Sequence, residues 1–204
     1  MNLGACGLLP QTPENGVWYR CIIPSYLPTA LSSAHTKKTA TRFNPGALLA
    51  PTDQFATLHF ADDPVVALFE TGALLGKPNA GYHVPHPRMT QVTLNVRIIL
   101  SDVIDLAVVS NAQVPLGTNA QELTGDWESY QIRNHRTPVS HPTGTAPTQE
   151  LGQALFKTGV EGFRALSAKM PYHKTLVVFT DNLKKGSSLD FSDSSGTITH
   201  RIAP

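Results

Sequence analysis

Three short stretches carry side chains whose type and setting could do chemistry. Arg20 stands inside Val17-Trp18-Tyr19-Arg20-Cys21-Ile22-Ile23, a run of β-branched and aromatic residues that reads as a strand. Burying a guanidinium is costly unless an anion or a carboxylate pairs with it. Arg20 therefore either meets an acid of this chain or holds an anionic ligand. Thr41-Arg42-Phe43-Asn44-Pro45-Gly46 sets a second arginine at the start of a Pro-Gly turn. Backbone N–H groups exposed in such a turn, together with the arginine fork, suit a phosphate; taken alone, the stretch reads as an ordinary surface turn. Glu70 lies on or beside the apolar face of a helix that begins near Pro64. It is either a solvated helix acid or a carboxylate partly buried against the two arginines.

Other chemistries lack local support. The sequence holds no G-x-G-x-x-G, no G-x-x-x-x-G-K-[ST], no H-E-x-x-H and no G-x-S-x-G. Eight histidines raise the question of a metal, chiefly His83 with His86 and His135 with His141. Both pairs lie in proline-rich loops without a carboxylate or cysteine at ligand spacing. A site needs three or four convergent ligands, so no metal is expected. A hydrolase built on those four loop histidines is the weakest of the functional readings.

The elements that must position these groups follow from the patterning. Residues 24–54 carry four prolines and read mostly as loop, and Phe55 to Phe60 as a short strand. Asp62 or Asp63 can cap a helix started by Pro64, with Val65, Leu68, Phe69 and Ala73 as its apolar face and Gly76 and Pro78 ending it. Gln91 to Leu100 alternates as a long strand, with Val92, Leu94, Val96 and Ile98 on one side and Arg97 on the other. A short helix is expected around Gln121 to Tyr130, capped by Asn119, and another from Gln149 to Lys157, capped by Thr148 and stopped by Gly159. Residues 77–90 read as loop and 133–147 as a mobile insertion. Val160 to Leu166, Thr175 to Thr180 and Thr197 to Ile202 complete the strands. Strands at both ends with helices between them give a mixed α+β domain rather than a regular alternation.

Composition narrows the function classes. The chain has 204 residues, enough for a self-sufficient core, and one domain is the default. Sixteen basic against fifteen acidic residues leave a net charge of +1, which argues against a nucleic-acid coat or a polybasic membrane surface. A concentrated anion site needs no global excess. Cys6 and Cys21 are the only cysteines, a usage that fits a reduced, cytoplasmic setting. Met1 to Pro13 has no basic residue and no sustained apolar run, unlike a secretory leader. No stretch approaches the roughly 20 apolar residues of a membrane span.

Arg42-Phe43-Asn44-Pro45, followed by Thr57-Leu58-His59-Phe60-Ala61-Asp62-Asp63-Pro64-Val65-Val66-Ala67-Leu68-Phe69-Glu70, resembles the core of the RES domain, a family named for its Arg, Glu and Ser. Its pattern is an Arg-aromatic-Asn-Pro turn, a strand, then a Pro-initiated helix carrying the glutamate. Thr148-Gln149-Glu150-Leu151-Gly152 through Gly162-Phe163-Arg164-Ala165-Leu166-Ser167-Ala168 is similar to the C-terminal half, where the serine lies. The resemblance spans about residues 17–183 of a single domain over 1–204. It implies an ADP-ribosyltransferase-like split β-sheet core with flanking helices, and a toxin of a toxin–antitoxin pair that consumes NAD+. It also implies a cytoplasmic protein whose partner is an antitoxin of helix-turn-helix type, with no direct nucleic-acid or membrane contact.

Carried over by position, Arg20 and Arg42 would hold the pyrophosphate and the nicotinamide ribose. Glu70 would face the reacting ribose, and Ser167 would line the nicotinamide pocket or order the glutamate. Where the family usually has Tyr, this chain has His59, a ring that can still stack on nicotinamide. About seven residues more than the family's shorter loop separate Arg42 from His59. The alternative from a different class is a non-catalytic nucleotide- or partner-binding module, which would gain stability from a nucleotide without consuming it.

Overall fold

The computed structural model describes residues 1–73, 90–128, 130 and 144–204. The expected loop at 77–90 up to residue 89, residues 133–143 of the expected insertion, and all four loop histidines fall outside them. Residues 144–147 lead directly into a helix.

The long alternating strand is the backbone of the molecule. In β3 (Val92–Asp105), Leu94, Val96, Ile98 and Leu100 are buried while Asn95, Arg97, Ile99 and Ser101 face outward. β1 (Gln11–Ile22) pairs with it antiparallel from Gln11↔Ile104 to Ile22↔Val92. Two short strands follow on the far side of β3: β6 (Ser188–Ser192) and then β7 (Thr199–Ile202). A second group consists of β2 (Thr57–Ala61), β5 (Lys174–Phe179) and β4 (Gly162–Leu166). Two seams join the groups. β3 and β4 run parallel from Val103↔Gly162 to Asp105↔Arg164, and β1 meets β2 at Tyr19↔Ala61. The strand order is β1-β2-β5-β4-β3-β6-β7, with β1 also paired to β3, so five strands form a ring split into two half-sheets.

The interior lies on both sides of the second half-sheet. Leu58, Phe60, Leu176 and Val178 pack against Trp18, Leu94, Val96 and Ile98 of the first. Val177, Phe179, Phe163 and Ala165 point the other way, onto Phe43, Phe55 and the helix residues Leu151 and Leu155. Burial on both faces explains why Leu176 to Phe179 is an unbroken apolar run. At Gly162 a Cβ would come within 2.4 Å of the Val177 carbonyl oxygen, so the strands there need a glycine.

The helices are short: α1 (Pro64–Glu70), α2 (Val114–Leu116) running out of a π-turn at Val109–Gln113, α3 (Ala120–Thr124) and α4 (Pro147–Lys157). The domain is α+β, as the pattern predicts, but several details differ. β1 begins at Gln11 rather than Val17, because a bulge between Thr12 and Glu14 absorbs Pro13. Residues 24–54 contain three 3-10 turns, and Ser188–Ser192 is a strand the pattern did not suggest. α1 ends at Glu70, before Gly76, and buries Val66 and Ala67 while Val65 is exposed. Asp63, not Asp62, caps it, accepting from Val65 N at 2.7 Å. α4 starts at Pro147, with Ala146 as N-cap, and Thr148 lies inside it.

Candidate functional site

Two 3-10 turns and a buried asparagine set the Arg42 turn. Thr41 and Asn44 bridge each other, with Thr41 N donating to Asn44 O at 2.8 Å. The Asn44 side chain is fully buried. Its Nδ2 donates to Thr36 O (3.1 Å) and Phe55 O (3.0 Å), and its Oδ1 accepts from Gly46 N (2.9 Å). Gly46 has φ +61°, and a Cβ there would meet the Ala40 nitrogen at 2.6 Å. Phe43 points inward, edge-on to Phe163 at 4.9 Å. Asn, Pro, Gly and Phe thus serve the turn itself, and Arg42 is the side chain the turn presents.

Arg20 and His59 flank the seam between β1 and β2. Arg20 Nη1 donates to the His59 carbonyl at 3.5 Å, and its guanidinium carbon lies 6.0 Å from the Phe60 ring centroid. The His59 Nε2 and Thr41 Oγ1 are 3.3 Å apart, which ties the ring to the Arg42 turn. Burial, then the charges of Arg20 and Arg42, push the His59 pKa down to about 3, so the ring is neutral near pH 7. Burial also lowers Arg20 to about 10. Arg42 is lowered by burial, against the opposing pull of Glu70, Asp126 and Glu128. The Nε atoms of both arginines are buried and have no hydrogen-bond partner among the described residues.

Glu70 closes α1. Ser167, the first residue after β4, donates from Oγ to Glu70 Oε1 at 2.5 Å. Ser167 Oγ in turn accepts from Lys169 N (3.2 Å) and Met170 N (3.1 Å). A serine hydroxyl has one proton and two lone pairs. Both lone pairs face amide N–H groups, so the proton is directed at Glu70. Ser167 is therefore a fixed donor, and Glu70 is held as an oriented acceptor whose charge reaches Arg42.

All five residues singled out by sequence belong to one neighbourhood: Arg20, Arg42 and His59 on one side, Glu70 and Ser167 on the other. A cleft of about 290 Å³ opens nearby, lined by Glu122, Asp126, Trp127 and Tyr130 and by the start of α4. Among the described residues no group of three or more His, Cys, Asp or Glu could hold a metal ion. Sequence reasoning passed over Thr41, Asn44 and Gln149, which hold the arginine turn. Thr41 and Asn44 belong to the turn stretch and Gln149 to the stretch 148–152, yet a polar residue of these types gives no signal of its own.

The family model of the RES domain matches residues 17–198. The chain belongs to the RES domain family. The match runs through β6 and past the expected limit at residue 183. The RES fold here is similar to a chain in the crystal structure of the M. tuberculosis MbcT–MbcA toxin–antitoxin complex, with a TM-score of 0.63 and 16% identity. That alignment covers 99% of this chain and 92% of the other. At this identity the likeness speaks for the fold. No curated protein matches the sequence. No helix among the described residues of this RES domain is long and apolar enough to cross a membrane.

Proposed function

We propose that this RES domain is a toxin that breaks the nicotinamide–ribose bond of NAD+ in the cytoplasm and is held in check by an antitoxin partner, expected to be of helix-turn-helix type. The observation that carries the reading is the pair of guanidiniums whose buried Nε atoms have no partner among the described residues, near an oriented carboxylate. Two cations short of hydrogen-bond acceptors suit the two negative charges of a pyrophosphate. Membership of the RES family and a structural neighbour from a toxin–antitoxin complex support the toxin role.

The residue types fit the reaction. Cleaving the bond to nicotinamide builds positive charge on the ribose, as in glycoside cleavage. The Glu70 carboxylate, fixed by Ser167, stabilises that charge or takes the 2′-hydroxyl. Nicotinamide leaves as a neutral molecule, so no general acid is required and one carboxylate suffices. The neutral His59 ring offers a face for nicotinamide. Arg20 and Arg42 draw binding energy from the non-reacting phosphates and hold the ribose for attack.

Incubating the purified protein with NAD+ and following free nicotinamide tests the reading. Running it with and without inorganic phosphate, and with labelled NAD+ in a lysate, separates water, phosphate and a protein side chain as acceptor. No release and no labelling under any of these conditions would overturn the enzymatic claim. If nucleotide then still raised the melting temperature, the non-catalytic binding module would replace it.

A further inference from the structure

Gln149 is fully buried in the first turn of α4, and each of its polar atoms is used. Its Nε2 donates to Thr41 O at 2.8 Å and lies 3.4 Å from Asn44 O, while its Oε1 accepts from Ala146 N at 3.0 Å. Thr41 and Asn44 are the two ends of the Arg42 turn. One helical turn further on, Gly152 lies so close to that turn that a Cβ would come within 1.9 Å of the Phe43 carbonyl oxygen. Residues three apart share a helix face, so Gln149 and Gly152 together form the surface on which the Arg42–Phe43 backbone rests.

The acids Glu70, Asp126 and Glu128 draw on the Arg42 charge. The Arg42 Nε is buried with no partner among the described residues, and burial disfavours its charge. The backbone of the turn sets where the side chain starts and so which way it can reach those acids. Thr41 also connects the turn to the site, since its carbonyl receives Gln149 and its hydroxyl lies against His59.

We infer that Gln149 is a positioning residue: through the Thr41 carbonyl it fixes the Arg42 turn, and so the aim of the guanidinium at the pyrophosphate. The inference rests on reading Arg20, Arg42 and Glu70 as an NAD+ site. Gln149→Met keeps the volume but removes the donor and the acceptor. We expect it to raise the Kd for both NAD+ and ADP about tenfold and to raise KM equally, with kcat changed less than threefold. In an Arg42→Ala background the same substitution should leave affinity nearly unchanged, because the residue it acts through is gone. A merely structural role would lower the melting temperature in both backgrounds and affect affinity equally in both.

Gln149→Glu keeps the acceptor for Ala146 N but turns an oxygen toward Thr41 O, and it serves if the Met variant does not fold. Unchanged affinity, or equal loss with and without Arg42, overturns the inference. If the wild type binds no NAD+, the NAD+ reading fails by itself. The Arg42 Nε–H resonance then decides on Gln149, since its solvent exchange must quicken in the Gln149 variants if the glutamine sets its place.

Discussion

Arg164 on β4 and Arg20 on β1 are both strand arginines kept largely from water, yet their surroundings are opposite. Arg164 is paired at every turn. Its Nε meets Glu14 at 2.8 Å, its Nη1 meets Asp105 at 3.3 Å, and its Nη2 donates to Pro13 O at 3.2 Å. Lys174 reaches Asp105 at 2.9 Å from the other side. Among the described residues, Arg20 finds a long bond to a carbonyl and the face of Phe60, and its Nε and that of Arg42 have no acceptor. One cluster is complete within the chain and stabilises it. The other leaves two buried Nε atoms without a hydrogen-bond partner among the described residues, which is why an anion is proposed for it.

Substitutions can break this contrast. The largest effect should come from Glu70→Ala, which is expected to reduce nicotinamide release by about a thousandfold or more while the melting temperature moves by a few degrees at most. Retained turnover would show that the carboxylate has another role.

Arg42→Ala and Arg164→Ala should then diverge. The former should weaken NAD+ binding by about 30-fold, measured by calorimetry, without loss of stability, since a poorly compensated buried charge is removed. The latter should leave affinity alone but lower stability by about 2–3 kcal/mol in urea melts, because Glu14 and Asp105 lose charged partners. A swap of these outcomes would reverse the contrast. Ser167→Ala should be milder, with kcat down about tenfold and KM little changed, since Glu70 stays in place but loses its fixed donor.

The contrast also extends to acid stability. The His59 pKa lies at about 3, below its unfolded value of 6.5, so the unfolded chain takes up the proton first. Stability from this group is complete above pH 6.5 and falls as pH drops toward 3, by at most about 1.4 kcal/mol per unit. At Asp105 burial raises the pKa, but the hydrogen bonds and charge of Lys174, the Ala107 amide and Arg164 outweigh it and hold it below 3.8. Its contribution is present above pH 3.8 and lost as pH falls further. Denaturant midpoints of His59→Asn should therefore lose the slope between pH 6.5 and 4 that the wild type shows, while an Asp105 variant keeps it.

The candidate site is more legible in the sequence than the scaffold proposed to aim it. Arg20 in an apolar strand and Arg42 before Asn-Pro-Gly announce themselves because a charge in such company needs a reason. Glu70 and Ser167 became meaningful only through their order along the chain, since each alone is an ordinary residue. Gln149 could not be read, because burial turns a common helix residue into a clamp and burial is a property of the fold. The first six residues of β1 were hidden by Pro13 and Gly16, whose turn-like chemistry is overridden by eleven residue pairs with β3 and a bulge. The face of α1 is legible in part, since Leu68 packs inward and Ala73 is buried, but Val65 is exposed because seven residues make too few turns for a period to show.

The seam between the half-sheets has a consequence for how the molecule comes apart. At one end β3 and β4 hold each other over three successive pairs, while at the other β1 and β2 share the single pair Tyr19↔Ala61. Local opening starts where backbone pairing is sparsest. Arg20 follows Tyr19, and His59 stands two residues before Ala61, so the groups proposed to grip the nucleotide stand on opposite lips of that weak joint. A molecule held by both would act as its rivet, and the ring of strands would then open last where it now opens first.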